Sequence, residues 1–160
     1  MVTLDWAGLS MDAAAAAFFS VAIAMMYTAP LRALLPTLAA GFAGSFVRDL
    51  SIACHLGANW STLLGATAVV LMAVTTARGN RLSPVVLISA VLPLGGASAM
   101  FELIFSVMKA SVAEGEALAG ASLAMTEHFA KVFIVSVAIA SGIAVGISIL
   151  RLCRWHGTVG

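Results

Sequence analysis

Long apolar stretches separated by short polar segments make up almost the whole chain. A hydrocarbon core about 30 Å thick needs about 20 apolar residues per helix. Stretches of this kind lie at residues 12–29, 33–55, 60–77, 84–108 and 121–150. The pattern therefore predicts an all-α fold, a polytopic integral membrane helical bundle of about five transmembrane helices that forms one domain over residues 1–160.

Proline and glycine interrupt the middle of the fourth apolar stretch, at Pro93, Gly95 and Gly96. Proline removes a backbone donor and glycine lowers helix stability, so we expect the fourth helix to be broken near Pro93–Gly96. Broken helices at membrane depth are tolerated where they are buried in protein or line a cavity, and transporters bind substrates at them. A plain proline kink is the alternative.

The last apolar stretch is too long for a single span perpendicular to the membrane. Its roughly 30 residues would extend about 45 Å at 1.5 Å per residue, so it must tilt, break or project from the membrane. It also contains Gly142 and Gly146, a GxxxG spacing that is a weak motif for close packing of membrane helices.

Composition narrows the class of protein. Of the 160 residues, 62% are hydrophobic and 9% are charged, whereas a soluble domain has about 25% charged residues. Eight basic and seven acidic side chains cannot form the polar surface of a soluble fold. This excludes a soluble globular enzyme and a disordered protein, and the net charge of +1 leaves no basic patch for nucleic acid.

The distribution of basic residues predicts the orientation, because cytoplasmic loops of membrane proteins carry an excess of lysine and arginine. With the N-terminus outside, Lys109 lies on the outer side, and the cytoplasmic side holds Arg32, Arg78, Arg81, Arg151 and Arg154. An odd number of spans keeps this asymmetry. We therefore predict an N-out, C-in, multi-pass protein of the cell inner (plasma) membrane. Its first span is expected to be retained, because the flank before it has no lysine or arginine.

Apart from Asp12, His55 and His128 near the ends of spans, five ionisable residues remain inside the predicted spans, where a charge at the bilayer centre costs about 2.5–3.5 kcal/mol. Each therefore needs a charged partner or a water-filled cavity. The five are Arg48, Asp49, Glu102, Glu127 and Lys131. The predicted topology puts all of them in the outer half of the membrane, and small residues on their helix faces turn them toward protein. We expect them to converge on a hydrated cavity between packed helices.

Spacing indicates different roles for these charges. Glu127 and Lys131 are four residues apart on one helix, which predicts a structural ion pair. Arg48 and Asp49 are adjacent, so their side chains diverge by about 100° around the helix and we expect them to meet different partners. Arg48 is the candidate for binding a substrate carboxylate. Glu102 or Asp49 is the candidate proton carrier.

The broken segment supplies the other candidate substrate-binding groups. Pro93, Gly95 and Gly96 would present backbone groups to a substrate, and the hydroxyl of Ser98 would add a hydrogen bond. We expect no catalytic residue, metal ligand or cofactor, because nothing in the sequence resembles a nucleophile–base pair, a metal-ligand set or a phosphate-binding loop. The sequence therefore predicts a protein that is not an enzyme.

Several residues stand in a distinctive order along the chain: Pro30-Leu31-Arg32-Ala33-Leu34, Gly41, Arg48, Trp60-Ser61-Thr62, Arg78, Pro84, Pro93 and Gly95-Gly96. Their order and spacing resemble those of the threonine/serine exporter family, ThrE. Within that family the chain looks like the short membrane subunit of the YjjB type. One departure is Gly95, which stands where the family often has a second proline.

The resemblance implies an export function and a partner. Family members export threonine and serine, or succinate, in a proton-driven process, and the short module works with a larger membrane subunit of the YjjP type. We therefore predict a small membrane subunit of a secondary exporter of small carboxylate-bearing solutes, acting in the lipid bilayer as a hetero- or homo-oligomer. The alternatives are an accessory or scaffold subunit without its own substrate site, and a homo-oligomeric channel.

Overall fold

The structure is a computed structural model that describes residues 6–76, 84–94 and 96–156, with the backbone alone for residues 96–98, 116 and 153–156. Over these ranges the chain forms six α-helices and no strand. Their bounds are α1 Trp6–Met26, α2 Leu31–Ala53, α3 Ala58–Thr76, α4 Pro84–Val91, α5 Gly96–Val112 and α6 Glu116–His156. The predicted all-α helical bundle is confirmed.

Three segments in the described part of the chain are long and apolar enough to cross a membrane: Trp6–Met26, Ala58–Thr76 and Ala117–Leu152. They are α1, α3 and most of α6, which supports a helical membrane protein. α2 has 23 residues but carries Arg32, Arg48 and Asp49, and α4 and α5 have 8 and 17 residues. The count of five spans and the N-out orientation stay predictions.

Short turns join the first three helices as antiparallel neighbours. α2 ends where His55 takes a left-handed conformation, with φ of 61°. The N–H of His55 donates to the Ile52 carbonyl and the N–H of Leu56 donates to the Ser51 carbonyl, the Schellman pattern that closes helix C-termini. Thr28, with φ of 53°, ends α1 in the same way. The start of α1 and the end of α2 therefore lie at the same end of the bundle.

The predicted fourth span consists of two helices, α4 and α5, with residues 92–95 between them. Pro93 has no N–H to donate to the Ser89 carbonyl, and the N–H of Leu94 bonds the Val91 carbonyl at 3.0 Å in a tight turn. The helix is therefore interrupted where the sequence predicts a break. Gly95 lies outside the described residues.

α2 is the central helix of the bundle. It packs against α1 and α3, and α4 packs against all three of these helices, so α4 lies over α2 between its two neighbours. α3 also packs against α6, and α5 makes extensive contacts with α6 alone. The chain therefore leaves the α2 side of the bundle at the break and continues on the far side of α3.

Two glycines set the distance between α2 and α3. A Cβ atom on Gly65 would lie 2.8 Å from the carbonyl oxygen of Gly44, and a Cβ atom on Gly44 would overlap the Val69 side chain. Leu94 is fully buried and fills the same crossing, with its Cδ2 atom 3.1 Å from the Cβ position of Gly65. The turn after α4 is therefore anchored in a close approach of two backbones that small residues permit.

The GxxxG of the last helix packs α6 against α3. A Cβ atom on Gly142 would overlap the Leu63 carbonyl oxygen, and one on Gly146 would lie 2.8 Å from Val70 Cβ. The hydroxyl of Thr67 lies 3.1 Å from the Gly142 carbonyl oxygen and 3.0 Å from that of Leu63. Interhelical hydrogen bonds in membranes contribute about 0.6–2 kcal/mol each. Close packing and a shared hydroxyl donor therefore hold this helix pair together.

α6 is a continuous helix of 41 residues, about 60 Å long and about twice the thickness of a hydrocarbon core. A tilt of up to about 40° does not absorb that excess. Gly142 lies beside Ala66 and Gly146 beside Val70, so α3 and α6 run parallel and α3 begins level with about residue 134 of α6. Residues 96–134, named here the α5–α6 hairpin, extend mostly beyond that level. Of the three expected alternatives, a break within α6 is wrong, and tilt and projection stay predictions.

We expect Gly65→Ala to destabilise the protein by about 1–3 kcal/mol, because the added methyl group overpacks the crossing of α2, α3 and Leu94. Gly120→Ala is the control, since a Cβ atom there meets nothing within 4 Å and alanine favours a helix. Thermal unfolding of the purified protein in detergent measures both. Equal thermal midpoints for Gly65→Ala and the unchanged protein would contradict this account of the packing.

We expect the α5–α6 hairpin to be accessible from water. Ser122 on the hairpin and Ser148 on the part of α6 beside α3 are both exposed, and each donates to a carbonyl of its own helix. In a background without Cys54 and Cys153, Ser122→Cys should react with a membrane-impermeant maleimide in opened membrane vesicles. Ser148→Cys should react at least about tenfold more slowly, because hydrocarbon surrounds it. Equal protection of both would place the hairpin inside the bilayer.

Candidate functional site

Arg48 and Asp49 lie near the end of α2, and the side chain of each is 27% exposed. The Nη1 atom of Arg48 lies 3.4 Å from Asp49 Oδ1, so the two neighbours pair with each other. The prediction that they meet different partners is wrong, because the long arginine side chain reaches a carboxylate whose Cβ diverges from its own. A contact of 3.4 Å is a long and weak hydrogen bond.

Another edge of the Arg48 guanidinium has no protein partner in the described structure. The Nε atom of Arg48 is buried and makes no hydrogen bond. The Oγ atom of Ser45, one turn earlier on the same helix face, is also buried and unpaired. A buried polar group without a partner costs about 1–3 kcal/mol. These two atoms therefore mark a place where a polar ligand would stabilise the protein.

Arg48 and the residue after Pro93 both pack against Gly65 of α3. The Cβ atom of Arg48 and the Cδ2 atom of Leu94 each lie 3.1 Å from the Cβ position of Gly65. Pro93 directly precedes Leu94 and is partly buried. The structure therefore brings Arg48 next to the segment that contains Pro93, two parts of the predicted substrate-binding set.

The other residues of that set lie at or after the break. Gly95 is outside the described residues, and only the backbone is described for Gly96 and Ser98. Both belong to the first turn of α5, which begins at Gly96. The first N–H groups of a helix have no partner within the helix, so this turn carries backbone donors of the kind that the sequence analysis assigned to it.

The polar end of α2, named here the α2 polar face, carries Ser45, Arg48 and Asp49. α4 and the turn at Leu94 pack on α2 as far as its crossing with α3 at Gly44, and α5 packs on α6 instead. Ser45 is 4% exposed, whereas the side chains of Arg48 and Asp49 are 27% exposed. Asp12 on α1 is near enough to Asp49 for an electrostatic interaction. The α2 polar face therefore has one guanidinium and two carboxylates close together.

A second charged cluster joins α5 to α6. The Nζ atom of Lys131 donates to Glu102 Oε2 at 2.8 Å, and His128 Nδ1 lies 3.4 Å from the same oxygen without hydrogen-bond geometry. The structure therefore replaces the predicted pair of Glu127 and Lys131 with a pair between helices. The reason is that α5 packs along α6 and presents a carboxylate to Lys131 at short range, whereas a pair along one helix contributes only about 0.2–0.5 kcal/mol.

The two charged clusters lie on different sides of α3. α2 and α6 both pack on α3 and make no extensive contact with each other in the described structure. The charges of α5 and α6 therefore do not join Arg48 in one cavity, contrary to the expectation from the sequence. Beside the second cluster lies a groove of about 400 Å³, lined by Phe101, Glu102, Phe105, Ser106, Lys109, Ala121, Ala124 and His128.

The sequence analysis missed Ser45 as a binding candidate and His128 as a neighbour of Glu102. The sequence shows Ser45 only as a small residue on the Arg48 face, and a free hydroxyl is visible only once the helices are packed. No group of three or more metal-ligating side chains occurs within residues 6–76, 84–94 and 96–156. The absence of a cofactor stays a prediction.

We compared the chain with models of known protein families, and one family model matches it. A family model described as threonine/serine exporter, ThrE, matches residues 12–153 of the chain. The matched region contains Arg48, the α2–α3 crossing, the break and the second charged cluster. No curated protein and no solved structure matches the chain. Because the family model covers most of its length, the chain belongs to the threonine/serine exporter family ThrE.

Proposed function

We propose that the chain is a small membrane subunit of a secondary, proton-coupled exporter of small carboxylate-bearing solutes, threonine or serine or a dicarboxylate such as succinate. In this proposal it works with a larger subunit of the same family in the inner membrane. One observation carries the proposal: the Nε atom of Arg48 is buried and unpaired on the α2 polar face, beside a broken helix, in a member of an exporter family.

The guanidinium of Arg48 is the group that recognises the substrate. Arginine binds a carboxylate through two parallel N–H donors. Asp49 engages Nη1 at 3.4 Å and leaves the Nε edge free for such a pair. The substrate carboxylate would thereby satisfy a buried donor that the protein leaves unpaired.

The break supports binding through backbone groups. The carbonyl of Ser89 loses its usual helical donor because residue 93 is proline. α5 begins at Gly96 on the other side of the break, and the proposal assigns substrate contacts to the backbone of Gly95 and Gly96 and to the Ser98 hydroxyl. Half-helix ends of this kind offer donors and acceptors to charged substrates in transporters. Together they would hold the end of the substrate opposite to Arg48.

Asp49 is better placed than Glu102 to couple transport to protons. It touches Arg48, whereas Glu102 is bonded to Lys131 on the far side of α3. An ionised Asp49 can hold the ammonium group of an amino acid, and a protonated Asp49 cannot. Proton and substrate would then compete for one carboxylate, which is the condition for exchanging a proton for a solute.

The accessory-subunit alternative is favoured by a different observation. Within the α5–α6 hairpin, α5 packs extensively only against α6 in the described part of the chain. Large apolar side chains of the hairpin stay exposed, among them Phe101, Phe105, Phe129 and Phe133. Where the hairpin projects into water, as predicted above, such an apolar surface requires another subunit against it. In this alternative the hairpin is the part that serves assembly, and the partner subunit holds the substrate.

We expect Arg48→Ala to reduce transport by at least about tenfold, because the carboxylate loses a charged, two-point partner. Arg48→Lys should also be impaired, since lysine keeps the charge without the fork. Arg32→Lys, the same change at the other end of α2, is the control. Counterflow of labelled threonine, serine and succinate into proteoliposomes, with the chain alone and with the larger subunit, measures the effect. Transport by Arg48→Ala at the rate of the unchanged protein would contradict the assignment.

We expect Asp49→Asn to abolish the acceleration of export by an imposed pH gradient, because asparagine cannot exchange a proton. Glu102→Gln should keep that acceleration, since its carboxylate lies in the other cluster. The same proteoliposomes, with and without the gradient, give both results. Full gradient dependence in both variants would place the proton carrier elsewhere, for instance in the partner.

A further inference from the structure

Buried hydroxyl groups in the described helices fall into two classes. Most of them donate to a carbonyl of their own helix or of the turn just before it, as buried polar side chains in membrane helices require. These are Ser20, Thr37, Ser51, Ser61, Thr62, Thr67 and Ser106. Ser45 and Ser89 differ, because the Oγ atom of each is buried and has no partner. Their exposures are 4% and 0%.

Only Ser45 shares its helix face with a charged group that is also unsatisfied. Ser45 and Arg48 are three residues apart on α2, which puts their Cβ atoms about 5–6 Å apart. Ser89 lies on α4, before the break, and its free hydroxyl has no charged neighbour on its own short helix. The buried, unpaired Oγ of Ser45 and Nε of Arg48 therefore form a single two-point polar site on the α2 polar face.

The charges around this site select the kind of molecule that fits it. Arg48 supplies one positive charge, while Asp49 and Asp12 bring two carboxylates to the same end of α1 and α2. A zwitterion can put its carboxylate on Arg48 and its ammonium toward Asp49. A dicarboxylate would place a second negative charge against carboxylates that already interact with each other, in an environment that strengthens such repulsion.

We propose that Ser45 recognises the side-chain hydroxyl of a hydroxy amino acid whose carboxylate is bound by Arg48. This inference rests on the proposed function and specifies its substrate. In threonine and serine the hydroxyl is separated from the carboxylate carbon only by Cα and Cβ, so one molecule carries both groups that the two unpaired atoms would bind. A serine hydroxyl both donates and accepts hydrogen bonds, so Ser45 can pair with a substrate hydroxyl in either direction.

The experiment compares threonine with 2-aminobutyrate, which lacks only the hydroxyl. Counterflow into proteoliposomes that hold the full chain with its larger subunit should favour threonine by at least about tenfold, the effect of one buried hydrogen bond. Ser45→Ala should reduce the apparent affinity for threonine by about tenfold and leave that for 2-aminobutyrate unchanged. Ser45→Ala removes a buried group that has no partner, so we expect it to fold as the unchanged protein does.

Two matched variants isolate the role of Ser45. Ser51→Ala removes a buried hydroxyl on the same helix that bonds the Val47 carbonyl at 2.7 Å, and Ser20→Ala removes a buried hydroxyl on α1 that bonds the Ala16 carbonyl at 2.9 Å. Both should keep the preference for threonine. If Ser45→Ala keeps it while Arg48→Ala loses transport of both substrates, the role of Ser45 is refuted and the proposed function stands. If the unchanged protein transports neither amino acid, the proposed function fails and this inference fails with it.

Discussion

The contact between the backbones of α2 and α3 at Gly44 and Gly65 is the constraint on which the rest of the structure depends. A Cβ atom on Gly65 would lie 2.8 Å from the Gly44 carbonyl oxygen, 3.1 Å from Leu94 and 3.1 Å from Arg48 Cβ. Because Gly65 has no side chain, α2 and α3 can approach closely, and Leu94 and the Cβ atom of Arg48 can pack at the same place. Because Arg48 lies one turn after Gly44, the position of its guanidinium follows from how closely the helices approach.

The interrupted helix has a structural consequence beyond the exposure of backbone groups. α4 follows α2 only to the level of Leu94, and α5 then packs on α6 instead. A continuous helix in place of α4 and α5 would have run on along α2 and covered Arg48. The break that Pro93 introduces is thus what keeps a helix from running on over the α2 polar face. In the proposed function the same break also supplies backbone groups for the substrate.

The sequence was sufficient to predict the helices of this fold, but it was insufficient to predict which helices pack against each other. Apolar length predicts the helices, Pro93 predicts the break, and the GxxxG at Gly142 marks a face that packs closely. Periodicity defines the faces of a helix, but it does not identify the helix on the other side. That is why Lys131 was expected to pair along α6 and is found bonded to Glu102 on α5. The free hydroxyl of Ser45 depends on three-dimensional packing in the same way.

We distinguish a candidate binding site from a structural contact in this chain by asking whether its charged group has a partner within the protein. The ammonium of Lys131 has a carboxylate partner at 2.8 Å, and both side chains are about half exposed, so this ion pair needs no ligand to balance it. The Nε atom of Arg48 is buried and unpaired, and its neighbour Asp49 holds the guanidinium only at 3.4 Å. A membrane protein retains such a donor at a cost of about 1–3 kcal/mol. In the proposed function, binding of a solute carboxylate would recover that free energy, which is why we assign the role in transport to Arg48 rather than to the salt bridge of the α5–α6 hairpin.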